Sequence, residues 1–66
     1  MKLIVNGEEM DVSKLLTLDG LLEILEVREG RVATMVNDEI VKRDARSTCN
    51  LAESDRIEVI HMVGGG

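Results

Sequence analysis

One stretch of this chain carries a helical stripe, and it stands alone among β-prone runs. Within Thr17–Glu26, Leu18, Leu21, Leu22 and Leu25 recur at i, i+3, i+4 and i+7, which puts them on one face of a helix. Glu23 and Glu26 fall on the other face. Thr17 can accept a bond from a free N–H as the N-cap, and Asp19 in the first turn suits the positive end of the helix dipole. Gly20 inside the run costs roughly 1 kcal/mol against alanine and loosens the first turn. A leucine stripe of this kind reads as core, not as a cofactor site. Such a face must be buried against another layer, and what surrounds it reads as strand.

Leu3-Ile4-Val5 is β-prone and runs into Asn6-Gly7, two residues that tolerate the positive φ of a type I′ hairpin turn. Glu8 to Val12 is the expected returning strand, with Met10 and Val12 on one face and Glu9 and Asp11 on the other. Beyond the helix, Gly30 is expected in a loop or cap. Val32–Val36 is a further strand, Asn37-Asp38 a turn, and Glu39-Ile40-Val41 a short strand. The polar run from Lys42 to Thr48 is expected as a loop or short helical turn, and Leu51 as a core anchor before the turn at 52–55. Arg56 to Val63 closes the chain as the last strand. Strands set around one helix predict an α+β layer. A ββαβ(β)β order with a lone amphipathic helix resembles the ubiquitin-like β-grasp fold. That fold implies a mixed sheet of four to five strands with the helix across one face, and its first and last strands side by side and parallel at the centre. Residues 1–63 are read as the domain and 64–66 as a flexible C-terminal glycine tail.

Length and composition close off several functions. A chain of 66 residues buries only about 60% of its unfolded surface, so its stability is marginal. One cysteine, Cys49, permits neither an intramolecular disulfide nor a cysteine-based zinc site, and a single histidine makes no metal cluster. A reducing cytoplasm fits a chain without a disulfide staple. Nor does the short apolar start, Leu3-Ile4-Val5, make a signal peptide or a membrane span. A net charge of -5, no basic stripe and no Phe, Tyr or Trp argue against nucleic acid and favour a protein partner with a basic docking face.

Side chains for conventional catalysis are scarce. His61 shares a strand face with Ile57, Val59 and Val63, so a partly buried, hydrogen-bonded histidine is favoured over a general base. Cys49 lies between Thr48 and Asn50 with no His or Lys beside it, and reads as a half-buried thiol, not a nucleophile. No catalytic or metal residue is assigned.

The remaining candidate is the end, Gly64-Gly65-Gly66. Terminal glycines are often a frayed end or a leftover linker. They also suit threading, because glycine adds no side chain and reaches backbone angles closed to other residues. Three extended residues span roughly 10 Å, enough to carry the ionised α-carboxylate of Gly66 into a partner's active site. That carboxylate is a competent nucleophile toward the α-phosphorus of a bound nucleotide triphosphate. On the last strand, Ile60 and Met62 share the face opposite Ile57 and Val59, together with Arg56 and Glu58. Two apolar side chains on an outward face beside the tail are candidate docking residues.

Val32-Ala-Thr-Met-Val-Asn-Asp-Glu-Ile-Val41, followed by Ser54-Asp-Arg-Ile-Glu-Val-Ile-His-Met-Val-Gly-Gly-Gly66, resembles the sulfur-carrier proteins of thiamin thiazole biosynthesis, the ThiS family. The resemblance runs over essentially the whole chain. A double-glycine end is common to all ubiquitin-like carriers; the His-x-Val before it is more specific. Departures are Lys42 where many relatives carry proline, Glu53-Ser54-Asp55 in place of a Gly-Asp turn, and Met62 in place of an aromatic. The resemblance implies a protein co-substrate, not an enzyme. It implies that Gly66 is adenylated by an E1-like adenylating enzyme and converted to a thiocarboxylate, with Gly64 and Gly65 as the threading residues. The implied partners are that enzyme, a sulfur-donor protein and thiazole synthase. ATP is used by the activating partner, no cofactor is bound by this chain, and the free chain is expected to be a monomer. Alternatives that keep the fold are a sulfur carrier for molybdopterin or another sulfur-transfer pathway, and a ubiquitin-like protein modifier.

Overall fold

In the computed structural model, residues 1–12, 15–27 and 32–61 are described. Strand β1 (Lys2–Val5) and strand β2 (Glu8–Asp11) form the expected hairpin, with Leu3 opposite Met10 and Val5 opposite Glu8. Asn6 and Gly7 hold φ of 50° and 84°, the two positive angles that a two-residue type I′ loop needs. The expected strand to Val12 stops at Asp11, yet the Val12 N–H still donates to the Met1 carbonyl at 2.8 Å.

Helix α1 (Leu18–Ile24) starts as expected, with Thr17 Oγ1 accepting from the Gly20 N–H at 3.1 Å and Asp19 in the first turn. Leu18, Leu21 and Leu22 are buried, and Leu25 packs against them. A β-carbon on Gly20 would come within 2.8 Å of Leu16 Cδ1, so the glycine makes room for a residue that itself leans on the core. The helix ends before Glu26 in a Schellman turn. Val27 N–H bonds the Leu22 carbonyl and Glu26 N–H bonds the Glu23 carbonyl, both at 3.0 Å. Glu26 is left at φ 59°, the left-handed position that glycine usually fills. Gly30, expected as a loop or cap residue, lies outside the described residues.

Strands β3 (Val32–Val36) and β4 (Glu39–Val41) are joined by Asn37 and Asp38 at φ 51° and 71°, so the second hairpin repeats the turn of the first. The polar run that follows is a 3-10 helix, Arg43–Thr48. Leu51 is buried as expected, and Ser54 takes φ 69° in the turn that leads to strand β5 (Arg56–His61). The five strands form one sheet in the order β2-β1-β5-β3-β4. β1 and β5 run parallel at its centre, and every other neighbouring pair is antiparallel. This is the expected α+β, β-grasp arrangement. Leu3, Val5, Val32, Ile57 and Val59 from the sheet meet the α1 leucines and Leu51 in a single core. Among the described residues, no helix is long and apolar enough to cross a membrane.

The asparagines that open the two hairpins also clamp β5. Asn37 donates its backbone N–H to the Arg56 carbonyl at 2.8 Å, and its Oδ1 accepts from the Arg56 N–H at 2.9 Å. Asn6 donates its backbone N–H to the Ile57 carbonyl at 2.9 Å, and its Oδ1 accepts from the Val59 N–H at 2.9 Å. Only turn chemistry is visible for these residues in the sequence; the clamp depends on which strand lies beside them.

The left-handed Glu26 gives a direct stability test. Glu26→Gly relieves the side-chain crowding at φ 59° and should stabilise the domain by up to about 1 kcal/mol, offset in part by the freer unfolded chain. Chemical denaturation of the two chains measures it, and a less stable variant would contradict the cap assignment.

Candidate functional site

Residues 62–66 lie outside the described residues, and with them the sequence candidates Met62, Gly64, Gly65 and Gly66. The site can therefore be built up to His61, the last described residue of β5. Two strands' worth of contacts hold this segment. On one side β3 pairs with it, Thr34 opposite Val59, Ala33 opposite Ile60 and Val32 opposite His61. On the other side β1 pairs only as far as Val5 with Ile57, and the Asn6 amide then takes over at Val59.

β3 is braced from below by a residue that the sequence reading passed over. Arg46, on the 3-10 helix, is buried. Its Nε donates to Thr34 Oγ1 at 3.1 Å and its Nη2 to the Val32 carbonyl at 2.9 Å. Thr34 is fully buried and donates its own hydroxyl to the Val41 carbonyl at 2.9 Å. One guanidinium thus ties β3 to the helical turn, and through Thr34 to β4, directly across from Val59 and His61. A buried charge held by neutral oxygens stays only because its donors are used. A signal was present, since Thr34 interrupts the inward apolar positions of β3, but its partner lies in a run whose composition reads as exposed loop.

His61 corrects an expectation. It does lie on the face of Ile57 and Val59, but its side chain is exposed and has no hydrogen-bond partner among the described residues. α1 ends at Ile24 and does not cover this end of the sheet. A groove of about 420 Å³ opens there, with Val5, Met10, Leu25, Val27 and Val59 in its walls and His61 at its edge. Strand periodicity reported the correct face; it carries no information on how far the helix reaches over it.

Cys49 is half-buried and packs against the core. Burial, and then the charge of Asp55, push its thiol up from the ordinary cysteine value. A thiol shifted in that direction stays protonated at neutral pH and is a poor nucleophile.

The opposite face of the sheet is more apolar than Ile60 alone suggests. Ile60, 47% exposed, stands opposite Ala33; Met35 stands opposite Ile40, which is 74% exposed. Directly opposed residues share a face in antiparallel pairs. Ile60, Ala33, Met35 and Ile40 therefore form a continuous strip across β5, β3 and β4. Glu58 sits within it opposite Met35, and the exposed Arg56–Asp38 ion pair, at 2.8 Å, borders it. Met35 and Ile40 were not singled out in the sequence, because their place beside Ile60 follows from the strand order.

The model of the ThiS family matches residues 3–66, which takes in the strip, the clamps and the terminal glycines. The chain belongs to the ThiS family. Its fold is shared with a thiamine biosynthesis protein (ThiS) from Geobacter metallireducens, a crystal structure that it matches at 30% identity and a TM-score of 0.86, with both chains covered in full. Among curated proteins, the whole chain is 36% identical to part of a thiazole synthase from Paramagnetospirillum magneticum and 39% identical to part of one from Magnetococcus marinus. The chain spans 20% of the length of each of these two proteins. The left-handed turn residue before β5 is Ser54, within the Glu53-Ser54-Asp55 stretch read above as a departure from the family pattern.

The guanidinium brace is testable by itself. Arg46→Met keeps most of the apolar stem and removes both donated bonds, leaving the Val32 carbonyl short of a partner. The variant should lose about 2 kcal/mol of stability in urea denaturation. A change near zero would show that the bonds are replaced by water.

Proposed function

We propose that this ThiS-family chain is a sulfur carrier for thiamin thiazole formation and acts as a protein co-substrate. The carboxylate of Gly66 attacks the α-phosphorus of ATP on an activating enzyme and releases pyrophosphate. Sulfide supplied by a donor then attacks the acyl carbon and displaces AMP, leaving a thiocarboxylate that thiazole synthase consumes. Gly64 and Gly65 thread the channel that leads to the nucleotide. The domain, residues 1–63, stays outside and docks through its apolar strip.

The observation that carries this reading is the family match through Gly66. Two further observations support it. Proteins named thiazole synthase contain a segment similar to this entire chain, which favours thiazole formation over a molybdopterin route or protein modification. The strip of Ile60, Met35 and Ile40 runs across β5, β3 and β4, so a partner seated on it also faces the strand that leads to the glycines. Met62 would extend the strip by one outward position.

Intact-mass analysis tests the chemistry. With an activating enzyme of demonstrated activity, ATP and bisulfide, the chain should gain the mass of one oxygen-to-sulfur exchange, and the chain lacking Gly66 should gain nothing. An unchanged mass in the full chain would sink the carrier reading.

Docking is tested separately. Ile40→Glu and Ile60→Glu each replace an exposed side chain, so stability should shift by no more than about 0.5 kcal/mol. Each should raise the Kd for the activating enzyme about tenfold or more, through loss of apolar contact and burial of a charge. Unaltered affinity in both variants, measured by calorimetry, would place docking on another face.

A further inference from the structure

We propose that Asn6 is a positioning residue for the tail chemistry, setting the direction in which the chain leaves β5 toward Gly66; this rests on the sulfur-carrier reading above. In a parallel ladder every second residue donates its N–H to one residue of the neighbouring strand and accepts from the residue two further on. Asn6 makes the first bond with its backbone, to the Ile57 carbonyl at 2.9 Å. It cannot complete the second that way, because at φ 50° the chain turns back into the hairpin. The side chain supplies the missing half. Oδ1 accepts from the Val59 N–H at 2.9 Å, and Nδ2 lies 3.4 Å from the Val59 carbonyl. The amide thus stands in for one more residue of β1. Among the described residues, it is the last group on that side of β5 before His61. Beyond it, among the described residues, β5 is paired by β3 alone.

Asn37 is the internal control. It has the same residue type, nearly the same φ of 51°, and the same pair of bonds to the β5 backbone, but it acts at Arg56, the opposite end of the strand from the tail. If the two asparagines only stabilise the fold, their loss should have equal consequences. If Asn6 aims the tail, only its loss should slow the chemistry. Misplacing a reacting group by a fraction of an ångström to one ångström lowers a rate by factors of ten to a hundred even when binding is intact.

The test compares Asn6→Gly, Asn6→Asp and Asn37→Gly. Glycine keeps the positive φ of each turn and removes the amide. Aspartate also tolerates that φ and keeps an acceptor for the Val59 N–H. Adenylation rates are normalised to the folded fraction measured by circular dichroism. Asn6→Gly should lower kcat about tenfold, with the KM for the carrier chain changed by less than about twofold. Asn6→Asp should stay within about threefold of the wild-type kcat, and Asn37→Gly should lose stability without losing kcat. Equal kcat losses in Asn6→Gly and Asn37→Gly, or no loss in Asn6→Gly, would overturn the proposal. Amide hydrogen exchange separates this from a failure of the carrier reading. A wild-type chain that is never adenylated sinks the carrier reading. A Val59 amide that exchanges no faster in Asn6→Gly sinks the clamp, whatever the enzyme does.

Discussion

The parallel contact between β1 and β5 is what the rest of the molecule hangs on. It joins the end of the chain's first strand to the last strand before the glycines, and it places both at the middle of the sheet. β2 then flanks this pair on one side and the β3–β4 hairpin on the other, and the helix has one continuous apolar surface to cover. The contact is short. Ile4 and Val5 pair with Arg56 and Ile57, and the register continues only through the Asn6 amide. Non-local pairing of this kind pays its loop-closure entropy before it is rewarded, so the local elements on either side must already be well specified. They are: two type I′ turns, a capped helix and a Schellman stop.

This layout also places β5, the strand that precedes the glycines in the sequence, inside the sheet of a 66-residue chain. Among the described residues the interior is apolar except for Thr34 and Arg46, which bond each other and the carbonyls of Val41 and Val32. Those two residues brace β3 from the helical side, while the Asn6 amide braces β5 from the β1 side. The strand leading to the glycines is therefore fixed on both flanks up to Val59. Its outward face carries Ile60, in one strip with Met35 of β3 and Ile40 of β4, so the docking surface proposed above includes the strand that precedes the glycines.

Much of this was legible in the sequence wherever a local rule decides the outcome. Asn6-Gly7 dictates its turn, Thr17 its cap, and the leucines of α1 their shared face, because each depends on residues within a few positions of one another. The parallel centre came from resemblance to a fold. What could not be read depends on residues far apart in the chain. Arg46 sits in a polar run and is buried only because β3 passes above it with two oxygens to offer. His61 has the correct face but no cover, since α1 stops at Ile24. Met35 and Ile40 join Ile60 only once β3 is known to lie between β4 and β5. Glu26 takes the left-handed cap position, which its residue type does not signal.

In the proposed carrier role, sulfur travels on Gly66 to a thiazole synthase. The most direct measurement loads the chain with a heavy sulfur isotope as its C-terminal thiocarboxylate and mixes it with thiazole synthase and the remaining substrates for a single turnover. The account predicts that the label appears in the thiazole product and that the chain returns with an ordinary carboxylate. Label that stays on the chain while unlabelled thiazole forms would contradict it.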